Sequence, residues 1–337
     1  MYHFIYITNI PSFYKINLFN KIAEQRNILV IFTKHASKER NTDFIAGERN
    51  FKYISIGNYV GIFKTIKLIL ILLRNSYNKL ILGGLDSKEL WAAAFISPKR
   101  KNCIVIESSI FESITTGFKG FIKRIFLKRV TTAYVSGKAQ KELALALEFK
   151  GELIITKGVG IFNIIEQPVF CPKDKVKKFI YVGRLSAEKN LKHLVYTFNQ
   201  LPDLQLNIVG FGSLEKKLKS IAKNNTIFHG AIDNKELSNY YQSNDVFILP
   251  SKSEPWGLVV EEALNNGLPV IVSNKVGCSS EIIIEDKNGI IFQLDEIDGL
   301  RKAILKMTDI SYYNSLRKNI STMNFEFIAK EQTNCYL

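Results

Sequence analysis

Short runs of apolar, β-branched and aromatic residues alternate along the chain with segments in which apolar residues recur at helical spacing. In the first half the runs are FIYIT, ILVIF, KLILGG, CIVIES, TAYVS and ELIIT, and in the second half FIYVG, LQLNIVG, TIFHG, DVFILP, LPVIVS and GIIF. Segments such as KINLFNKIAEQ and KELALALEF carry the helical pattern between them. Strands that alternate with helices indicate βαβ units on a parallel sheet. The sequence therefore predicts an α/β fold with two doubly wound domains.

A break in this rhythm divides the chain. We predict an N-terminal Rossmann-like domain over residues 1–160, a linker over residues 161–176 and a C-terminal Rossmann-like domain over residues 177–310. The linker contains two prolines and has no sustained period, as expected of a connecting segment. Open parallel sheets bind ligands beyond the carboxyl ends of their strands, so two such sheets that face each other would form a ligand cleft. Candidate chemistry is therefore expected at the turns from strand to helix.

The composition favours two folded domains. The chain has 337 residues, of which 46% are hydrophobic and 23% charged, and no low-complexity run indicates disorder. Its cysteines lie far apart and form no C-x-x-C pair, which argues against a zinc site or a disulfide framework: Cys103, Cys171, Cys278 and Cys335. We expect a cytoplasmic location, because the first residues lack the charged region of a signal peptide and no apolar run approaches the roughly 20 residues of a spanning helix.

Positive charge is concentrated in the first half of the chain. Residues 1–150 contain 24 Lys and Arg against 10 Asp and Glu, whereas residues 151–337 contain 22 against 21. Such asymmetry indicates an anionic partner of the first half, whether phospholipid, a lipid-linked phosphate or nucleic acid. Solubility alone is the alternative explanation.

Two basic segments of the first half, residues 61–75 and 117–130, have the pattern of helices that lie on a membrane surface. In the second segment the apolar stripe comprises Phe118, Phe121, Ile122, Ile125, Phe126 and Val130. Interfacial helices combine an apolar face with basic flanks, although a core helix with a basic outer face shares the pattern. We predict a peripheral association with the anionic inner face of the cytoplasmic membrane, where each basic residue adds about 1 kcal/mol.

The first candidate binding turn is FIYVGRLSAEKNLKHLVYTF, in which a strand runs into Gly183. Arg184 and Lys189 lie between the end of this strand and the start of a helix, where backbone N–H groups favour an anion. The turn is therefore a candidate phosphate site, with an ordinary surface loop as the alternative. The next turn, NIVGFGSLEKKL, carries a G-x-G at Gly210, but Glu215 occupies the place of the third glycine of the dinucleotide fingerprint, which disfavours NAD binding.

The third candidate turn is SEPWGLVVEEALNNGLPVIVS, residues 253–273. Gly257 lets the backbone approach a ligand where the next helix begins at Leu258. Three carboxylates lie in this stretch, and the helical wheel does not choose between Glu261 and Glu262. Complementing the helix dipole, at about 0.3–1 kcal/mol, explains either of these two, but it does not explain Glu254 in the preceding loop.

In this order the motifs resemble the retaining nucleotide-sugar glycosyltransferases of the GT-B fold, glycosyltransferase family 4. The resemblance rests on G-R-L-S-x-E-K-N, the G-x-G turn, E-P-W-G-L-V-V-E-E-A and G-L-P-V-I-V-S followed by V-G-C-S-S-E, across residues 178–292. It implies two Rossmann-like domains that face each other across a cleft. The family pattern of two Glu separated by seven residues selects Glu254 and Glu262, not Glu261. The resemblance also implies that residues 311–337 form a final helix that crosses back to the first domain.

The resemblance implies a role for each donor-side residue. Arg184 and Lys189 would neutralise the diphosphate of the leaving nucleotide, so no metal or other cofactor is expected. Glu254 would accept hydrogen bonds from the donor sugar as the third catalytic residue. Glu262 would bind the ribose hydroxyls. The other donor-binding positions contribute backbone: Gly183, Gly210, Gly257 and Leu258.

The first half departs from the family pattern. Residues 9–16 read N-I-P-S-F-Y-K-I where many members carry a glycine-rich loop, and the mid-domain strand is followed by Glu107 rather than by a histidine. We therefore expect Tyr14 and Glu107 on the acceptor side, although a solvated acid at a strand end would explain Glu107 equally well. Because no histidine base is visible, we expect a same-face reaction in which the leaving phosphate helps to deprotonate the acceptor.

The sequence thus predicts a retaining glycosyltransferase that moves a sugar from a UDP- or GDP-sugar to a saccharide acceptor, lipid-linked, in bacterial surface polysaccharide synthesis such as that of O-antigen, capsule or lipopolysaccharide. A GT-B-fold nucleotide-sugar epimerase is one alternative, disfavoured by the sparse histidines. A non-catalytic protein that binds nucleic acid is another. We expect no nucleic-acid partner, because the basic segments interleave with aliphatic stripes and not with exposed aromatic platforms.

Overall fold

Two separate parallel sheets organise the structure, a computed structural model that describes residues 1–35 and 42–337. The chain divides into two units, each built on one sheet. The first unit consists of Met1–Phe162 together with Phe327–Leu337, and the second unit consists of Asn163–Glu326. Every described strand pair is parallel, in agreement with the predicted α/β class.

Over its described residues, the first unit contains a seven-stranded sheet and five α-helices before its final segment. The strands are β1 (Tyr2–Thr8), β2 (Ile28–Phe32), β3 (Lys52–Ser55), β4 (Tyr77–Leu82), β5 (Asn102–Ile106), β6 (Thr132–Val135) and β7 (Glu152–Ile155). The helices are α1 (Phe13–Ala23), α2 (Gly61–Arg74), α3 (Lys88–Ile96), α4 (Gly117–Leu127) and α5 (Lys138–Ala146). The strand order is β3-β2-β1-β4-β5-β6-β7. Since the order reverses between β1 and β4, their carboxyl ends mark the edge where such sheets bind ligands.

The second unit repeats this plan with six strands. The strands are β8 (Lys178–Val182), β9 (Gln205–Val209), β10 (Thr226–Gly230), β11 (Val246–Leu249), β12 (Val270–Ser273) and β13 (Gly289–Phe292). The helices are α6 (Leu191–Asn199), α7 (Glu215–Ile221), α8 (Leu237–Gln242), α9 (Leu258–Asn265), α10 (Ser279–Ile282), α11 (Gly299–Met307) and α12 (Ile310–Ile320). The strand order is β10-β9-β8-β11-β12-β13, which places the reversal between β8 and β11.

The central strands of both sheets are buried on both faces. Every residue of β2 and of β11 is buried, as expected when helices cover a parallel sheet on each side. In the first unit, one core joins the sheet to α2, α3, α4 and α5. Continuous apolar strands therefore identified most of the sheet from sequence.

Strand β3 is the exception, because the sequence pattern did not indicate it. It is a short strand at the edge of the first sheet, and its sequence KYIS places two exposed residues first. An edge strand is not buried on both faces, so it lacks the apolar run that marks a central strand.

The predicted linker, residues 161–176, is part of the second unit from Asn163 onward. The Ile165 N–H donates to Asn265 Oδ1 at 2.9 Å, and Asn265 Nδ2 donates back to the Ile165 carbonyl at 3.0 Å. Further along, the Lys173 N–H donates to Asn314 Oδ1 at 2.9 Å. These bonds fix an irregular segment to the second unit.

The predicted final helix over residues 311–337 is two helices in the structure. Helix α12 belongs to the second unit, where the Tyr313 hydroxyl donates to the Asp245 carbonyl at 3.1 Å. The last helix, α13 (Phe325–Asn334), belongs to the first unit from Phe327 onward. Beyond it, Tyr336 stacks on Tyr134 of β6 with ring centroids 4.7 Å apart. The prediction of a single final helix is therefore corrected. Helix α12 buries its apolar face in the second unit, and only the segment from Phe327 onward belongs to the first unit.

Candidate active site

Three turns at the carboxyl ends of neighbouring strands meet in the second unit. The turn after β8 bonds to the turn after β9 through the Leu185 N–H and the Phe211 carbonyl, at 2.9 Å. The loop after β11 bonds to the first of these turns through the Lys252 N–H and the Glu188 carbonyl, at 2.8 Å. Backbone hydrogen bonds therefore connect the three predicted motifs directly.

Gly210 allows the first two turns to approach this closely. Its φ is 131°, and a Cβ built on it would lie 1.9 Å from the carbonyl oxygen of Gly183. No side chain fits at that distance, so any substitution would push the two turns apart. Gly210 thus acts by letting the backbone of one turn meet the backbone of the other, whereas a Cβ at Gly183 would meet the Tyr181 side chain.

Lys189 and Glu254 form a largely buried ion pair between the first and third turns. Lys189 lies on a 3₁₀ turn, Ala187–Lys189, and Asn190 then adopts a left-handed conformation before α6 begins. The structure thus places Lys189 just before the helix rather than within it. Arg184 lies on the same turn, with Nη2 3.4 Å from Glu188 Oε1 and its guanidinium partly exposed.

The loop that carries Glu254 is held against the segment after β12. The Glu254 N–H donates to the Lys275 carbonyl at 3.0 Å, and the Gly277 N–H donates to the Glu254 carbonyl at 2.9 Å. The Cys278 N–H donates to the Trp256 carbonyl at 2.9 Å. The chain then turns at Gly257, whose φ is 101°, and α9 begins at the next residue.

Leu258 is the first residue of α9, and the first N–H groups of a helix have no partner within the helix. They carry the positive end of the helix dipole, which favours an anion. The predicted backbone site at Gly257 and Leu258 therefore lies where the loop that carries Glu254 runs into α9.

The two adjacent glutamates of α9 have different partners. Glu261 is 4% exposed and accepts a hydrogen bond from Trp256 Nε1 at 2.8 Å. Burial raises the pKa of Glu261 to about 8. Glu262 accepts a hydrogen bond from the Tyr241 hydroxyl at 3.2 Å and is partly exposed, and burial of its carboxyl raises the pKa to about 7.

The acceptor-side residues Tyr14 and Glu107 both belong to the first unit, and Lys15 links them. Lys15 follows Tyr14 on α1 and is 4% exposed. Its Nζ lies 2.9 Å from Glu107 Oε1 and donates to Thr8 Oγ1 at 3.2 Å. Burial alone lowers the pKa of Lys15, but Glu107 and Tyr14 outweigh it and raise the pKa. About a third of the Glu107 side chain stays exposed.

Sequence reasoning did not identify Lys15, Trp256 and Glu261 as contributors to these sites. Lys15 is a single basic residue on an amphipathic helix, and only the fold brings it to Glu107. The family spacing favours Glu262 over Glu261. A helical wheel shows on which side of the helix a residue lies, but not which side chain covers it. The signal available for Glu261 was its spacing from Trp256 across a helix start.

The basic segments of the first half form α2 and α4. Their exposed apolar residues are Ile62, Phe63, Ile66, Leu70 and Leu73 on α2, with Phe118 and Phe121 on α4. Phe126 and Val130, which the predicted stripe included, are buried in the core of the first unit. That part of the prediction is wrong, because the end of α4 packs on the sheet. Among the described residues, no helix has the length and apolar character needed to cross a membrane.

The donor-side motifs match a known family. Residues 165–323, which lie within the second unit, match the family model described as glycosyl transferases group 1. The resemblance noted in the sequence is confirmed at the level of this family match. Over the described residues, no cluster of three His, Cys, Asp or Glu is arranged to hold a metal ion.

Particular relatives extend this result. The sulfoquinovosyl transferase SQD2 of Arabidopsis thaliana is 32% identical over 161 residues, 47% of this chain and 30% of that protein. An Escherichia coli UDP-Gal:alpha-D-GlcNAc-diphosphoundecaprenol alpha-1,3-galactosyltransferase is 32% identical over 155 residues, 42% of this chain and 39% of that protein. The matches thus span less than half the length of each of these two relatives.

The fold matches along nearly the whole chain. The lipopolysaccharide outer core galactosyltransferase WaaB superposes with a TM-score of 0.73 over 98% of each chain, at 17% identity. An identity of 17% is too low to indicate function, but the TM-score supports the same fold. The predicted GT-B fold class is confirmed.

Proposed function

We propose that this chain is a retaining glycosyltransferase of family 4 that transfers a sugar from a nucleotide-sugar, without a metal ion, to a lipid-linked saccharide in surface polysaccharide synthesis. The observation that carries the proposal is the Lys189–Glu254 ion pair beside Arg184 and the start of α9. It combines cationic groups, a carboxylate and helix N–H groups on converging turns, as a sugar diphosphate requires. The family match of residues 165–323 supports the same activity.

Charge develops on the diphosphate as the bond to the sugar breaks. Arg184 and Lys189 supply two cations on one turn, and the first N–H groups of α9 supply aligned dipoles. Groups that are already in place stabilise this charge without reorganising, which is the largest single contribution in many enzymes. Lys189 also holds Glu254, which leaves the carboxylate fixed to accept hydrogen bonds from sugar hydroxyls.

Glu262 is the proposed ribose ligand. Its carboxyl already accepts the Tyr241 hydroxyl, which limits its rotation. A carboxylate accepts two hydroxyl donors only when it is ionised. Because the pKa of Glu262 is about 7, nucleotide affinity should rise with pH through neutrality.

The acceptor is assigned to the first unit. Glu107 keeps part of its carboxylate exposed while Lys15 fixes the rest, so it is placed to accept a hydroxyl hydrogen bond beside Tyr14. The printed name of the E. coli relative includes a diphosphoundecaprenol-linked sugar, and the proposed lipid-linked acceptor follows that precedent.

The exposed apolar residues of α2 and α4 would contact the inner face of the cytoplasmic membrane. Phe63 is 69% exposed and Phe118 is 76% exposed, on helices that also carry lysine and arginine. Apolar side chains that enter the headgroup region and basic side chains that attract anionic lipid reinforce each other. Peripheral association would bring the first unit to a lipid-linked acceptor.

The proposal is tested by thermal unfolding of the full chain with UDP, GDP, ADP, CMP and TDP, each without added metal and again with EDTA. A nucleotide at 100 times its Kd stabilises the native state by about 2.7 kcal/mol. We expect one uridine or guanosine nucleotide to raise the Tm, and Arg184→Ala to abolish the shift.

Transfer from the responding donor class to a lipid-linked saccharide would complete the test. Solvent deuterium in a recovered sugar, without transfer, would instead favour an epimerase. If no nucleotide raises the Tm, the assignment of the second unit as a donor site is wrong.

A further inference from the structure

Trp256 anchors the loop that carries Glu254. Its side chain is 2% exposed, and its carbonyl accepts the Cys278 N–H at 2.9 Å. On either side, backbone bonds from Glu254 and Gly277 join the same two segments. Three backbone hydrogen bonds and one buried ring therefore hold the loop against the segment after β12.

Gly257 makes the connection from this loop to α9 inherently loose. Glycine adopts positive φ without steric cost, but it also has more accessible conformations than any other residue. Here it precedes the first helical residue, and no side chain caps the helix at that position. The backbone alone therefore does not set the angle between the loop and α9.

The hydrogen bond from Trp256 Nε1 to Glu261 Oε2 spans this glycine. Counted from the helix start, Trp256 is the residue before the cap and Glu261 is the fourth helical residue. In many helices an apolar pair at these two positions packs together and fixes the direction in which the chain enters the helix. In this chain a directional hydrogen bond of 2.8 Å joins the same positions.

We propose that Glu261 is a positioning residue that, through Trp256, holds the Glu254 loop and the start of α9 in the arrangement that binds the donor diphosphate. This inference rests on the proposed function. Glu261 itself would touch neither the nucleotide nor the sugar. Its effect is to fix the angle across Gly257, so that Glu254 and the N–H of Leu258 reach the same ligand.

A buried carboxyl at this position also limits the negative charge near the diphosphate. The ionisable groups that interact with it are Glu262 on the same helix and Cys278 on the adjoining segment. Burial raises the pKa of Glu261 to about 8, with the Trp256 hydrogen bond opposing the rise and Glu262 adding to it, so the carboxyl is mostly protonated at neutral pH. Glutamine would keep the acceptor oxygen and remain uncharged at every pH.

Hydrogen exchange tests the positioning directly. The amides of Glu254, Gly277 and Cys278 donate the bonds that hold the loop, so their exchange rates report its opening. We expect Glu261→Ala to speed exchange at these amides about tenfold more than at the amides of β12. Glu261→Gln should leave them near wild type, and Glu296→Ala, which removes an exposed acid elsewhere in the second unit, is the matched control.

Nucleotide affinity tests the consequence for binding, with UDP and GDP as the probes. We expect Glu261→Ala and Trp256→Phe each to weaken binding about tenfold, and the double variant to be no weaker than Trp256→Phe alone. Wild-type affinity should fall above pH 8, whereas Glu261→Gln should not show that fall. Emission from Trp256 in a Trp91→Phe background should change in Glu261→Ala and not in Glu261→Gln.

The outcomes separate this inference from the proposed function. Unchanged exchange in Glu261→Ala would overturn the positioning role whether or not a nucleotide binds. Faster exchange with wild-type affinity would show that Glu261 holds the loop but that the loop does not bind the diphosphate. If wild type binds neither UDP nor GDP, the proposed donor site fails, and the exchange rates still decide whether Glu261 positions the loop.

Discussion

The two units place their charged side chains in different ways. In the second unit, Arg184, Lys189 and Glu254 lie on turns that follow neighbouring strands, and each turn is a continuous motif of the sequence. In the first unit, Lys15 and Glu107 lie on α1 and after β5, and only the folded sheet brings them together. A donor site made of turns can be read from sequence, whereas a charge pair made across the sheet cannot.

The two ion pairs also differ in how accessible they are to a ligand. The Lys189–Glu254 pair lies beside an exposed guanidinium and a helix start, so a ligand can share its charges. The Lys15–Glu107 pair is closed on the lysine side and open on the glutamate side. We therefore expect the first pair to govern chemistry and the second to govern stability, with Glu107 alone available to a ligand.

The largest expected effect is on turnover, from Lys189→Met. Removing this cation takes away one stabiliser of the leaving diphosphate and frees Glu254, so turnover should fall about 10²- to 10³-fold. Nucleotide release from the responding donor is the measurement. Lys219→Met, which breaks an exposed pair with Glu215, is the control and should leave turnover unchanged. A rate within tenfold of wild type would contradict the expectation that the Lys189–Glu254 pair governs chemistry.

Lys15→Met should act on stability instead. It leaves Glu107 without its partner, and because that carboxylate is partly exposed we expect the free energy of unfolding to fall by about 2 kcal/mol. Adding Glu107→Leu should recover part of the loss. Chemical denaturation measures both effects. UDP or GDP affinity should stay at the wild-type value, and its loss in a folded Lys15→Met protein would contradict the assignment of the donor to the second unit alone.

Lipid binding should depend on the first unit only. We expect Phe63→Ser with Phe118→Ser to weaken binding to vesicles that contain phosphatidylglycerol about tenfold, since each change removes apolar area from the headgroup region. Co-sedimentation measures the partition, and added salt should weaken it further. Ile297→Ser, at an exposed apolar residue of the second unit, is the control. Equal binding of both variants would contradict the proposed membrane face.

The last expected effect is gradual, a slope of stability with pH. The native state keeps a proton on Glu261 up to about pH 8, whereas the unfolded chain loses it near the ordinary glutamate value. This group alone should lower the free energy of unfolding as pH rises from about 5 to 8, by at most about 1.4 kcal/mol per pH unit, and Glu262, whose pKa is about 7, adds to the fall below pH 7. Glu261→Gln should make the slope shallower below pH 7 and remove it between pH 7 and 8, in denaturation measured from pH 5 to 9.

The same titration distinguishes the two units. The pKa of Lys15 is raised in the native state, so its contribution is complete at neutral pH and is lost only as pH rises through that raised value. A slope between pH 7 and 8 that persists in Glu261→Gln and disappears in Lys15→Met would contradict this assignment.

Most of the second unit was predictable from sequence for a physical reason. Its central strands are buried on both faces, so they are continuous apolar runs, and its glycines stand where backbone meets backbone, as at Gly210. The carboxylates at Glu254 and Glu262 follow a spacing that their family resemblance selected. Their proposed ligands stay predictions.

The rest depended on burial, which a one-dimensional pattern does not show. Glu261 and Glu262 flank the buried arc of the helical wheel on opposite sides, and the wheel does not show that Trp256 donates a hydrogen bond to the first. Strand β3 carries no apolar run because it lies at the edge of its sheet. Lys15 reads as a surface residue until β1 and β5 are placed in one sheet.

The first unit is assembled from two separate parts of the chain, so the order of synthesis affects when it can finish folding. Phe327–Leu337 reaches the ribosome exit only after the whole second unit has been made. Until then Tyr134 lacks its stacking partner Tyr336, and Gly158 lacks the neighbouring Gln332 side chain. Domains generally fold as units during synthesis. The continuous second unit can therefore complete its fold first, while the first unit, although begun earlier, must wait for its last piece.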